Sequence, residues 1–120
     1  MKVYNPFLEA LNTISYSPLK ARLLGSVEEA VFVQEIENVS QAQQIEGWAR
    51  RTPRQIEIAT GLLPAAQKRV RKSLKRKGIL QEIPSSDDDS MYFRINKEKF
   101  NEFFRSIEIE EEKHEDSRAR

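Results

Sequence analysis

The chain reads as mainly α with a small β-hairpin (an α+β fold), and three observations lead there. Helix-start and helix-stop residues recur through residues 17–78 and cut that stretch into short capped helices. Beyond Gly78, the runs ILQEI and MYFRI alternate in polarity on either side of the turn-forming PSSDDDS. Phe100, Phe103, Phe104 and Ile107 then fall at i, i+3, i+4 and i+7, the apolar stripe of an amphipathic helix.

The elements follow in order. Asn5-Pro6 starts a short helix carrying Phe7, Leu8 and Leu11. Ser17-Pro18 starts another, with Leu19, Leu23 and Leu24, and Gly25 ends it. Ser26 caps a third, and Glu29 completes a capping box. This third helix, from Val27 to about Val39, has apolar residues on more than one side, so it is expected between two packed layers or two subunits. SQAQQIEG reads as a loop or a fraying helix end, and Gly47 to Arg50 as a short strand with Trp48 as a core wedge. Thr52, Pro53 and Gln55 form a second capping box, after which Ile56 and Ala59 face inward. Gly61 turns the chain, Leu62 and Leu63 anchor the turn, and Pro64 opens the next helix. Gly78 caps it, Ile79 and Ile83 share one face of the following strand, and Met91, Phe93 and Ile95 alternate on its return. Asn96 caps the last helix. The divisions expected are a helical extension over 1–25, a domain over 26–107, and a charged, disordered tail over 108–120.

Charge decides the partner. The formal net charge is +1, but it is unevenly distributed. From Gly47 to Gly78 there are ten Lys/Arg against Glu57 alone, +9, and the rest of the chain carries −8. The spacing of TPRQIEIATGLLPAAQKRVRKSLKRKG is that of a helix-turn-helix, whose second helix holds seven Lys/Arg and no acid. On a helical wheel Leu63, Ala66, Val70 and Leu74 share the inward face, while Ala65, Lys68, Lys72 and Lys75 point away, flanked by Arg69, Arg71 and Arg76. Lys68–Lys72, Lys72–Arg76 and Arg71–Lys75 are like-charge i,i+4 pairs, each costing about 0.2–0.5 kcal/mol in the absence of an anion. A solvated face generally mixes its signs, so the run points to a polyanion.

In a major groove, Ala65, Lys68, Arg69 and Lys72 are the candidates for base contact, with Lys75, Arg76 and Lys77 further along on phosphates. Arg50, Arg51 and Arg54 are expected to flank the backbone.

From Gly25 to Phe100 the layout resembles winged helix-turn-helix domains, particularly those of phage and plasmid replication initiation proteins and related transcriptional regulators. GSVEEAVFVQEI, the W-x-R-x-T lead-in at Trp48, Arg50 and Thr52, QIEIATGL, LKRKGIL and MYFRIN carry the likeness. It implies a double-stranded DNA-binding protein of replication initiation or transcriptional regulation, with the hairpin as wing. Two departures stand out. The wing tip carries Asp87, Asp88 and Asp89, which phosphate repels, leaving Arg94 at the wing base as its candidate contact; and Leu63-Pro64 occupies the place of a phosphate-binding Ser or Thr.

Other chemistry finds little support. There is no cysteine, the lone His114 lies in the charged tail, and the aspartates lack calcium-loop spacing. No phosphate loop or nucleophile elbow is present, so the expectation is a non-enzyme with no cofactor and no metal. With neither a signal peptide nor a long apolar run, the expected setting is cytoplasmic, away from membranes. The Phe100–Ile107 stripe is read as a lid on the core or as a dimer helix, which keeps a homodimer open. The rival reading is an assembly module, a loader or inhibitor subunit, with a protein partner at the acidic wing or tail. RNA is less favoured for want of an aromatic platform beside the basic helix.

Overall fold

Capping sets the helix boundaries of this protein. The computed structural model describes residues 14–118, with side chains through Ile107; the helix expected at Asn5-Pro6 lies outside the described residues. Helix α1, Pro18–Leu24, starts where Ser17 Oγ accepts from the Lys20 amide at 3.2 Å. Of its three leucines Leu23 and Leu24 are buried, whereas Leu19 faces solvent. Helix α2, Val27–Gln43, starts where Ser26 Oγ accepts from the Glu29 amide at 3.2 Å. The expected reciprocal half of that capping box does not form. The Ser26 amide donates instead to Ala21 O at 3.0 Å, and the Glu29 carboxylate is engaged by Lys77.

Helix α2 also outruns its expected end, since Ser40–Gln43 remain helical and Gln44 closes the helix with φ 54°. It is the central helix, packed by α1, by the sheet and by the two helices that follow. Phe32 and Ile36 are fully enclosed, and Ala30, Val33 and Val39 are buried beside them. A helix apolar on several sides needs partners on several sides.

Three short strands form an antiparallel sheet in the order β1-β3-β2. They are β1, Ala49–Arg51; β2, Leu80–Pro84; and β3, Met91–Ile95. Ala49 pairs with Phe93, and Leu80 with Ile95, placing these four on the face toward α2. Phe93 meets Phe32 edge-on at 5.5 Å. The expected Ile79–Ile83 face is not the inner one. Ile79 is buried in the turn ahead of the strand, so Leu80 and Glu82 set the inward parity and Ile83 is left 52% exposed.

Between β1 and β2 lie α3, Pro53–Thr60, and α4, Pro64–Arg76. Thr52 and Gln55 exchange both capping-box bonds, at 3.1 and 3.0 Å. Ile56 is the sole buried residue of α3; Ala59, expected inward, is exposed. Gly61 ends α3 at φ +78°, left-handed backbone that suits glycine. Gly78 does the same after α4, where its amide reaches Lys75 O and that of Ile79 reaches Leu74 O, both at 3.0 Å, a Schellman closure. Helix α5, Lys97–Arg118, starts at Asn96, whose Oδ1 accepts from the Lys99 amide at 3.1 Å. Phe100 is buried and Phe103 and Phe104 pack partly buried against the core, a lid on α1 and α4. The backbone remains helical to Arg118, well past the expected end near Ile107.

Candidate nucleic-acid interface

Helix α4 is held by its buried side. Val70 and Leu74 fill the core, Ala66 packs beside them, and Gln67 is only 3% exposed. Gln67 Nε2 donates to Pro53 O at 2.9 Å and Leu62 O at 2.7 Å, tying the start of α3 and the turn to the start of α4. Gln67, Val70 and Leu74 stand at i, i+3 and i+7, the spacing that places a polar residue on the buried side. Leu63, expected inside, is instead the N-cap of α4, forms no side-chain cap bond and is 62% exposed.

The cations of α4 do not form one bare ridge. Arg71 donates from Nε and Nη2 to the two carboxylate oxygens of Glu82 at 2.8 and 2.9 Å. Lys75 Nζ reaches the same carboxylate at 2.7 Å. The expected Arg71–Lys75 repulsion is therefore overturned: an acid from β2 sits between the two. Burial pushes the Glu82 carboxyl upward, but hydrogen bonds and charge from Arg71 and Lys75 outweigh it and hold the group below the usual carboxylate range. Lys77, expected on phosphate, donates to Glu29 at 2.7 Å and to Leu24 O at 2.9 Å, while Ser73 donates to the same Glu29 oxygen at 2.9 Å. Arg69 makes a solvent-exposed pair with Glu28 at 3.3 Å, the kind that contributes little.

Lys68, Lys72 and Arg76 remain. All three are exposed, and no carboxylate among the described residues pairs with them. With Ala65, also exposed, they follow one line along the outward side of α4. Beside that line an open groove of about 380 Å³ runs between Pro53 and α4, lined by Lys68, Arg71, Lys72 and Lys75.

The flanking arginines separate as well. Arg54 is exposed at the start of α3 and has no partner among the described residues. Arg51, expected to flank the backbone, falls on the inner side of β1, near Glu35 of α2, with its Nε buried and unpaired. Burial raises the Glu35 carboxyl above its ordinary value, with Arg51 opposing.

Arg50 points the other way, into the loop between β2 and β3. Its Nε donates to Ser90 Oγ at 2.9 Å and its Nη2 meets Asp88 at 3.3 Å, with the guanidinium 5.5 Å from the Tyr92 ring. The Ser90 hydroxyl and amide, helped by Arg50, keep Asp88 below the usual range. Arg50, expected on the backbone, is thus held within the hairpin, its ion pair with Asp88 being solvent-exposed. Arg94 is occupied too, donating to Gln81 Oε1 at 2.8 Å and stacking 4.5 Å from the Trp48 ring. Trp48 is accordingly a half-exposed partner on the outer side of the sheet, not the expected core wedge.

Among the described residues no group of three His, Asp or Glu could hold a metal ion, and no helix is long and apolar enough to cross a membrane. No family model matches the chain, and no curated protein or solved structure is significantly similar to it.

Proposed function

We propose that this protein binds double-stranded DNA as a winged helix-turn-helix domain, with α4 in the major groove and β2–β3 as a wing. It would act by occupancy rather than catalysis, in replication initiation or transcriptional regulation. The observation that carries the reading is the exposed row Lys68, Lys72, Arg76, free of any described acid although Glu28, Glu29 and Glu82 neutralise the cations around it. Those three keep their like-charge spacing, which a polyanion relieves. The order α2, β1, α3, α4, β2, β3 supports the fold reading, since it sets two helices at the Gly61 turn and a hairpin after them. Lys68, Arg69 and Lys72 would meet base edges and neighbouring phosphates; Arg54 and Arg76 would hold the backbone.

Duplex binding by the purified chain, titrated across salt, tests this. About five contacting cations (Arg54, Lys68, Arg69, Lys72, Arg76) give a slope of log K on log salt near −4 to −5. Salt-insensitive binding, or none at low ionic strength, rejects the proposal.

A second reading, an assembly module, draws on exposed Asp87 and Asp89, which present acid where a wing would approach phosphate. A protein partner lost on Asp87→Asn/Asp89→Asn, with no duplex binding by the intact chain, would favour it.

A further inference from the structure

The start of α4 is apolar where a groove-binding helix would first touch bases. Leu63, Pro64 and Ala65 are all exposed, none carries a side-chain donor or acceptor, and Leu63 stands 62% exposed. Leucine is a poor choice for an N-cap, because Ser, Thr, Asp or Asn there would bond the free amides of the first turn. Leu63 makes no such bond, and its side chain finds little cover in the fold. A residue that neither caps nor fills the core is available to meet a ligand.

Its neighbours say what that ligand is. Pro64 lines the same groove as Lys68 and Lys72, and Ala65 lies on the outward line leading to Lys68 and Lys72. Through Pro64 and Ala65 the apolar start thus adjoins the cationic row that would hold the phosphates, and Leu63 precedes them as the exposed N-cap. In a major groove the one methyl group of a base edge is the C5-methyl of thymine; cytosine offers only a C5 hydrogen at that place, and the other features are donors or acceptors. Resting on the duplex-binding proposal, we infer that Leu63 and Ala65 read thymine methyl groups, so that this protein selects its site partly by apolar contact. Lys68 and Arg69 then supply the hydrogen-bonding part of the readout one turn further on.

The test uses duplexes selected by the full chain from a random pool. Replacing each thymine in turn with deoxyuridine keeps base pairing and removes only the methyl group. At one or two positions affinity should fall about three- to five-fold per methyl, with the salt slope unchanged. Leu63→Ser should abolish that thymine–uracil difference at one of those positions while leaving the fold intact, because serine provides the missing cap. Ala65→Gly should weaken the difference at a neighbouring base. Selected duplexes insensitive to uracil at every position overturn the methyl readout and leave duplex binding standing. A uracil penalty that persists undiminished in Leu63→Ser and Ala65→Gly overturns the assignment to these residues. Absence of salt-sensitive binding to any duplex removes the underlying proposal, and this inference with it.

Discussion

The Arg71 guanidinium lies against Glu82 in two parallel hydrogen bonds, so β2, the first strand of the hairpin, controls how much charge the basic helix shows. Because Glu82 also holds Lys75, one carboxylate withdraws two cations from the outward surface. Replacing Glu82 with Gln should release both. The salt slope for duplex binding should steepen by about 1 to 2, since each added phosphate contact contributes about 0.9. Losing the paired charge should also cost about 1–2 kcal/mol of stability, read as a lower urea midpoint. An unaltered slope would mean that Arg71 and Lys75 do not reach phosphate even when free.

Acid should remove the same contribution. The folded Glu82 carboxyl titrates below its unfolded value of about 4.3. Its stabilisation is therefore full above that value and is lost as pH falls through the lower, folded one. Glu35 runs oppositely: its raised carboxyl favours folding in the neutral form, a contribution present below the unfolded value and lost as pH rises through the folded one. Glu35→Gln should thus raise Tm at about pH 7 relative to the parent, with the gain shrinking as pH falls toward about 4.3, whereas the deficit of Glu82→Gln should hold down to about 4.3 and shrink only below it. Thermal melts of both variants from about pH 7 down to about pH 3 check the two signs.

Lys68→Ala and Lys72→Ala should weaken duplex binding and flatten the salt slope by about 1 each. Neither side chain has a described partner, so stability should stay within about 0.5 kcal/mol of the parent. A slight gain is expected for Lys72, which repels Lys68 and Arg76 at once. Anisotropy titrations at several salt concentrations, beside thermal melts, separate the two effects; unchanged affinity in both variants would displace the interface from this side of α4.

Glu29 should behave as a structural residue. It is 6% exposed and accepts from Lys77 and Ser73, joining the end of α4 to the start of α2. Glu29→Ala leaves the Lys77 ammonium half-enclosed without its carboxylate and should cost about 2–4 kcal/mol. Glu28→Ala, at the preceding position but paired only with exposed Arg69, should cost under about 1 kcal/mol. Equal losses in the two variants would contradict the burial that distinguishes them.

Much of the fold was legible because caps and turns are local chemistry. Ser17, Thr52, Asn96 and the glycines at 61 and 78 act within a few residues of themselves, and each stands where its pattern predicts. The stripe Val70–Leu74 and the alternation of Phe93 and Ile95 were equally readable, since helix and strand periods need no partner to be seen. Less legible was anything fixed by a neighbour distant in the chain. Glu29 sits at a capping-box position yet turns to Lys77, because a charged donor near the core outweighs a backbone amide that already has Ala21 O. Trp48 looks like a core residue but stacks on Arg94, whose strand brings it alongside.

The amino-acid sequence alone therefore determined where the described helices start, the β-hairpin, and the concentration of positive charge between Gly47 and Gly78. Only the tertiary structure decided which of those charges remain available. Strand parity sends Arg51 inward and Arg50 outward into the hairpin loop, and the β2 register sets Glu82 between Arg71 and Lys75. Charge is additive along a chain, but its neutralisation depends on distances across the fold, and those exist only once the sheet has brought its acids to α4.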